Sequence, residues 1–361
     1  MKKLICFTTY PPEAPSVYHR IEAYRPFLKD SGIELEVISF LTSSFFKRRR
    51  LFGFWQKCYK IAMFLFCSVR LVLFLPKAAQ ADTVIIHREV FPLGKPWLEL
   101  LISRISTRCY YDIDDAIWFP PSNSINQRAM FWDEQRVPRI MKSVDGIIAG
   151  SPYIEQYAHQ YNQNILKIPT SFDDLQGLNP NQKNSKISKE NRPVIVWIGN
   201  WGNACYLNPI LPVLERLSER FDFILRLIGG QDIFEIKSEQ VSIEYFNWSR
   251  ALESELLPNS DIGIMPLANQ DYEKGKCSFK LIQYMSAGLP VIASPVGMNQ
   301  QVVTENLGKL ADTEEEWYQS LEVLLSHPSL RIEMGRCAYR RYQNEFSRIV
   351  NSQRLACVLE E

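Results

Sequence analysis

Short apolar runs alternate with longer stretches of helical period along the whole chain. The runs at 4–9, 35–40, 84–87, 109–113 and 146–149 have the length of buried strands, and the stretches at 17–29 and 96–106 have helical spacing. Strand-then-helix alternation predicts a parallel sheet covered on both faces. The pattern breaks at 169–193, where Asn, Lys and Ser are frequent, and then restarts. Strands are expected at 194–198, 223–228, 261–265 and 291–293, and helices from Leu207, over 281–287 and almost throughout beyond Asp312. The expectation is α/β, with two Rossmann-like domains at 1–180 and 181–361. Open parallel sheets bind ligands at the carboxyl ends of their strands, so two such sheets facing each other would form a cleft.

Length and composition agree with two soluble domains: 361 residues, 46% apolar and 22% charged. A net charge of +1 carries no nucleic-acid signature. The eight cysteines are scattered and form no Cys-x-x-Cys pair, which reads as reduced thiols in a cytoplasmic protein. The N-terminal apolar run is cut short by Pro11 and Pro12, so it reads as a strand rather than a signal peptide.

The most informative stretch is 261–297. A strand ends at Pro266, a loop carries Lys274, Gly275 and Lys276, and a helix follows with Lys280 in its first turn. A loop entering a helix N-terminus presents amides and partial positive charge to an anion, and the two lysines add full charges. Gly275 permits close backbone approach. Gln283, on the same helix, would reach a ribose hydroxyl.

The string GKCSFKLIQYMSAGLPVIASPVG (275–297) resembles the donor-binding region of group 1 glycosyltransferases of the GT-B fold. VWIGNWGNACYL (196–207), with Gly199 and Asn200, resembles the strand and glycine loop that open the second domain of that family. YFNWSRALESELLPNSDIGIMPL (245–267), with Trp248, resembles its base-proximal loop and the strand before the donor loop. YDIDDAIW (111–118), the run 16–35 and IPTSFD (168–173) resemble elements of its first domain. The resemblance implies a metal-independent, retaining transfer of a sugar from a UDP- or GDP-linked donor, with no bound cofactor. It implies donor contacts from Gly199, Asn200, Trp248, Gly275, Lys276, Lys280 and Gln283. The acceptor would be a saccharide or a lipid-linked hydroxyl in cell-envelope polysaccharide or glycolipid assembly.

Two departures stand out. Many relatives carry glutamates eight positions apart where this chain has Gly275 and Gln283, and Glu273 lies near the first but out of register. The first loop, 8–16, has no glycine, which makes Arg20 a candidate contact to acceptor or phosphate.

Asp112, Asp114 and Asp115 end a strand. Crowded carboxylates raise one another's pKa unless a cation is near. Asp114 and Asp115 are the candidate catalytic residues, for hydroxyl binding or proton transfer, and Arg88 is an acceptor-side candidate. A metal held by Asp-x-Asp-Asp is the lesser reading, and no metal site is assigned. His87 reads as structural.

From 37 to 81 the sequence has no acidic residue, while Lys47, Arg48, Arg49, Arg50, Lys57, Lys60, Arg70 and Lys77 interleave with aromatics. The charges argue against a transmembrane helix; the stretch reads as contact of 45–77 with an anionic membrane surface, peripheral at the inner face of the plasma membrane, or else as a core helix packed on the first sheet with a charged edge. Two other classes compete. An NAD-type oxidoreductase would need Gly-x-Gly-x-x-Gly, and GNWGNA (199–204) has the wrong spacing. A non-catalytic sugar-nucleotide-binding protein is kept open by the absent glutamate pair.

Overall fold

A computed structural model describes residues 1–48, 54–92, 94–119, 133–175, 192–199 and 202–360. Two compact units emerge. The first comprises Met1–Thr170 with Asn351–Glu361, and the second Ser171–Val350.

The first unit is built on a six-stranded parallel sheet of β1 (Lys2–Thr8), β2 (Ile33–Ser39), β3 (Thr83–His87), β4 (Cys109–Ile113), β5 (Gly146–Ala149) and β6 (Ile165–Lys167), in the order β2-β1-β3-β4-β5-β6. Its helices are α1 (Pro15–Arg20), α2 (Arg25–Asp30), α3 (Ser43–Arg48), α4 (Phe54–Phe74), α5 (Trp97–Ile105), α6 (Arg136–Ser143) and α7 (Pro152–Ala158). β3, β4 and β5 are buried at every position, which is why they read as continuous apolar runs. The helix expected at 17–29 is two helices: Arg25 restarts the chain behind a short 3-10 turn, with Pro26 in its first turn.

The second unit has β7 (Val194–Ile198), β8 (Ile224–Gly229), β9 (Ser242–Asn247), β10 (Ile262–Met265), β11 (Val291–Ala293) and β12 (Gly308–Leu310), in the order β12-β11-β10-β7-β8-β9, all parallel. Its helices are α8 (Leu211–Ser218), α9 (Arg250–Leu256), α10 (Asp271–Lys274), α11 (Phe279–Ser286), α12 (Asn299–Val302), α13 (Glu314–Ser326) and α14 (Pro328–Arg341). The strand order reverses at β7/β10 here and at β1/β3 in the first unit. Those two switch points are where an open α/β sheet takes ligands.

The units divide at Thr170/Ser171 rather than at 180/181, and the last residues belong to the first unit. The reason is burial. In α15 (Arg348–Glu360), Leu355, Ala356, Val358 and Leu359 join Leu4, Val17 and Ile85 in one apolar cluster. Lys2 Nζ and Arg108 Nη2 donate to the Leu359 carbonyl at 3.2 and 3.0 Å. All eight cysteines are free thiols.

Candidate functional site

The second unit assembles a rim at the carboxyl ends of β7, β8 and β9. Three residues set it: Gly199 after β7, Gly229 ending β8 and Trp248 after β9. The Gly199 amide donates to the Ile228 carbonyl at 3.0 Å, and the Trp248 amide to the Gly229 carbonyl at 2.8 Å. A Cβ on Gly199 would meet the Trp197 ring at 2.3 Å, so only glycine lets the chain leave β7 beside that buried indole. Gly202 (φ +86) turns the loop back, and Asp232 Oδ2 accepts from the amides of Gly202 and Ala204 at 2.7 and 3.3 Å. Asn200 lies outside the described residues.

Helix α11 is locked to this rim by Tyr284. Its hydroxyl accepts from the Ile198 amide at 3.0 Å and donates to the Ile264 carbonyl at 3.1 Å, tying the helix to β7 and β10. The ring lies where a Cβ on Gly263 would be, 2.4 Å away, so Gly263 makes the space. Lys280, in the first turn, is thereby carried to the end of β7, with Nζ 5.6 Å from the centre of the Trp197 ring. Helix α11 has no side-chain cap. Its N-cap position is Ser278, in the left-handed region at φ 52, rare for a residue with a Cβ. The Ser278 hydroxyl donates instead to Asn299 Oδ1 at 2.7 Å, while Asn299 Nδ2 donates to the Ser294 carbonyl at 3.0 Å. Strain of this kind points to a site rather than to ordinary helix entry.

The loop before α11 is held from the other side. Tyr206 donates to Glu273, which is fully buried. Burial, then that bond, pushes the Tyr206 phenol well above its ordinary range. Gly297 (φ +54) presses on Lys274: a Cβ there would lie 2.2 Å from the Lys274 carbonyl oxygen. Lys276 Nζ sits 4.7 Å from the centre of the Tyr272 ring. The Gly275 amide donates to the Tyr272 carbonyl at 3.3 Å and the Lys276 amide to the Glu273 carbonyl at 3.1 Å. With the Gly199 amide also engaged, the loop amides expected to face a diphosphate are spent inside the fold. Lys276, Lys280 and the N-terminus of α11 bring positive charge to this loop.

Gln283 and Trp248, predicted separately, are joined by a residue the sequence did not single out. Glu253, 2% exposed on α9, accepts from Trp248 Nε1 at 2.8 Å through one oxygen and from Gln283 Nε2 through the other. Burial raises the Glu253 pKa, with the two hydrogen bonds pulling the other way. The Trp248 side chain, anchored at its nitrogen, leaves the residue 42% exposed as a flat apolar surface at the rim. With Nε2 committed to Glu253, Gln283 turns its amide oxygen away from Glu253 as an acceptor. Nothing in the sequence marks Glu253: a glutamate in the first turn of a helix is ordinary until the fold brings Trp248 and Gln283 to it.

In the first unit, Asp114, Asp115 and Arg88 come together at the carboxyl ends of β3 and β4. Arg88, left-handed at φ 55, donates through Nε to Asp114 and through Nη2 to Asp115 at 2.5 Å. Gly150 lets β5 pass close, since a Cβ there would lie 2.9 Å from the Asp114 Cα. The expected rise in carboxylate pKa is reversed. Burial alone would raise Asp114, but Arg88, His87 and Arg20 outweigh it and hold it well below the usual carboxylate range. A carboxylate so held is a weak proton acceptor, which counts against Asp114 as a general base. Asp115 is the more accessible of the two, its side chain 21% exposed against 6%.

Arg20 does not stand open to an acceptor. Its side chain is 1% exposed, and its guanidinium forms a two-pronged pair with Asp112 and donates to the Ile168 carbonyl at 2.5 Å. His87 Nδ1 lies 2.6 Å from Asp112 Oδ2, which also accepts from Arg20 Nε, and His87 Nε2 is buried with no hydrogen-bond partner. Asp112 is lowered overall because Arg20 and His87 together exceed its burial cost. No group of three or more potential metal ligands occurs among the described residues.

Residues 192–327 match the sequence model of the family described as glycosyl transferases group 1. Over this stretch, which lies within the second unit, the chain is similar to that family. No curated protein matches the sequence. Among solved structures, a glycosyltransferase from Rickettsia africae superposes with a TM-score of 0.68 at 14% identity, covering 99% of this chain and 98% of that one. The Anabaena protein HepE, solved with UDP and glucose, gives 0.65 at 15% identity with complete coverage of both chains. Sucrose-phosphate synthase from Thermosynechococcus elongatus gives 0.66 at 13% identity, covering 100% and 98%. The chain therefore has the GT-B fold over its full length. The glycosyltransferase match spans α11, β7 and Trp248, the elements that build the rim.

Proposed function

We propose that the protein transfers a sugar from a nucleoside-diphosphate donor, UDP- or GDP-linked, to a hydroxyl acceptor. One observation carries the reading: Lys280 and Gln283 ride on a single helix that Tyr284 fixes to β7, on the same rim as Gly199 and Trp248. The base would stack on Trp248 and the ribose would donate to the Gln283 amide oxygen. Lys276, Lys280 and the α11 dipole would meet the diphosphate. The family match and the UDP and glucose bound in the Anabaena neighbour support this choice of donor.

In this reading the C–O bond to the diphosphate breaks as the acceptor oxygen attacks from the same face, giving retention. The acceptor proton passes to the departing phosphate oxygen. Asp115 and Arg88 are the acceptor-side candidates of the first unit, with Asp114 holding Arg88 in place. A lipid-linked acceptor, as in envelope glycoconjugate assembly, would suit the acid-free, basic and aromatic stretch at 37–81.

Lys280→Ala tests the donor site. Removing one charge-assisted contact should weaken UDP or GDP binding by calorimetry about 30-fold, or ~2 kcal/mol, and shift the melting temperature by no more than about 2 °C. Unchanged affinity for both nucleotides would remove the site. Turnover on a panel of UDP- and GDP-sugars, followed by mass spectrometry, separates an enzyme from a binding protein.

A further inference from the structure

Helix α4 carries two apolar faces. Inwardly, Cys67 and Leu71 are fully buried in the core with Phe40 and Ile38, and Phe64 packs edge-on against Phe40. Outwardly, every exposed position from Cys58 to Phe74 is apolar. Ile61, Leu65, Phe66, Val69, Val72 and Leu73 are 54–74% exposed. Their spacing of three, four and seven puts them on one stripe about four turns long. Six large apolar side chains this exposed amount to roughly 500 Å², at the upper end of what soluble monomers show and a mark of an interaction surface.

We propose that this stripe docks the protein on an anionic lipid bilayer, with α4 lying in the plane of the interface. Charge selects the occupant. No acidic residue occurs from 37 to 81, and Lys47 and Arg48 are exposed at the end of α3. A two-fold contact with a second copy would set this basic border against itself, whereas anionic headgroups complement it.

The helix does not cross. Cys58–Gln80 is long and apolar enough to do so by length and composition. Yet its inner face is part of the core, and Arg70 donates to the carbonyls of Ser39 and Phe40 at the end of β2. Spanning would strip that core and carry Arg70 into hydrocarbon. The basic residues thus divide. Arg70 and Lys77, the latter paired with Glu36, serve the fold, and Lys47 and Arg48 are placed to meet headgroups. Arg49 and Arg50 lie outside the described residues. The surface is independent of the donor site.

The test is co-sedimentation of the full chain with phosphatidylglycerol/phosphatidylcholine vesicles and with pure phosphatidylcholine vesicles. Wild type should pellet with the anionic vesicles. Ile61→Gln, Leu65→Gln, Val69→Gln and Leu73→Gln together should lower the partition coefficient about 100-fold or more, with helix content and UDP binding retained. Should the quadruple variant misfold, Leu65→Gln alone should still give a loss of about fivefold. Equal pelleting of wild type and Leu65→Gln, or no pelleting of wild type, overturns the proposal. So does a wild-type dimer by light scattering that the variant converts to monomer without any vesicle binding.

Discussion

Replacing Arg20 by Met separates a structural from an acceptor-binding arginine. Methionine keeps the apolar stem and removes the guanidinium, leaving Asp112 ionised at 1% exposure with His87 as its remaining partner. Breaking a buried ion pair from one side costs about 3–5 kcal/mol. Because His87 still contacts the carboxylate, the lower end applies, about 3 kcal/mol, or roughly 6–12 °C for a unit of this size. The pH dependence has a defined sign. In wild type, the lowered Asp112 pKa contributes stability that is present above the ordinary carboxylate range, near pH 4, and lost as pH falls toward the folded value. Without Arg20, burial dominates and the pKa rises. The penalty is then absent below about pH 4 and grows as pH rises through the folded value. The gap between the two melting curves should therefore be widest at neutral pH, narrow as pH falls toward 4 and close only below it. Differential scanning calorimetry from pH 3.5 to 8 reads this directly. A melting temperature within about 1 °C of wild type at pH 7, with a raised KM for acceptor, would show that Arg20 faces substrate instead.

Two further substitutions probe the rim. Glu253→Gln retains the bond from Trp248 but forces Gln283 to flip its amide, since two NH2 groups cannot pair. Nucleotide affinity should fall about tenfold. The raised pKa of Glu253 means its contribution is fully present below the ordinary glutamate value and lost as pH rises through the folded one, so the variant should melt no lower than wild type at pH 8. A large destabilisation at pH 8 would contradict this account. Gly297→Ala places a Cβ against the Lys274 carbonyl in left-handed backbone and should cost about 3 kcal/mol in chemical denaturation; a loss under about 1 kcal/mol would mean the turn is free to move.

Much of this was legible without coordinates. The fully buried strands β3, β4, β5, β7, β8, β10 and β11 announce themselves because burial on both faces favours a near-continuous apolar run. The strands the pattern missed are β6, β9 and β12, which are the outermost or nearly exposed members of their sheets, where SIEYFN (Ser242–Asn247) carries no such run. The donor string was readable since loop, lysines and helix are contiguous in the chain.

The tertiary structure decided what depends on partners distant in sequence. Asp112 and Asp114 look like mutually repelling acids until Arg20 and Arg88, 92 and 26 positions away, neutralise them. Glu253 acquires its role from Gln283, 30 positions on, and the last helix joins the first unit through apolar contacts made by the two ends of the chain. Local sequence determines which segments become strand or helix, because period and capping act over a few residues. Charge state, side-chain orientation and domain membership are set by what burial brings into contact, and only the folded chain specifies that.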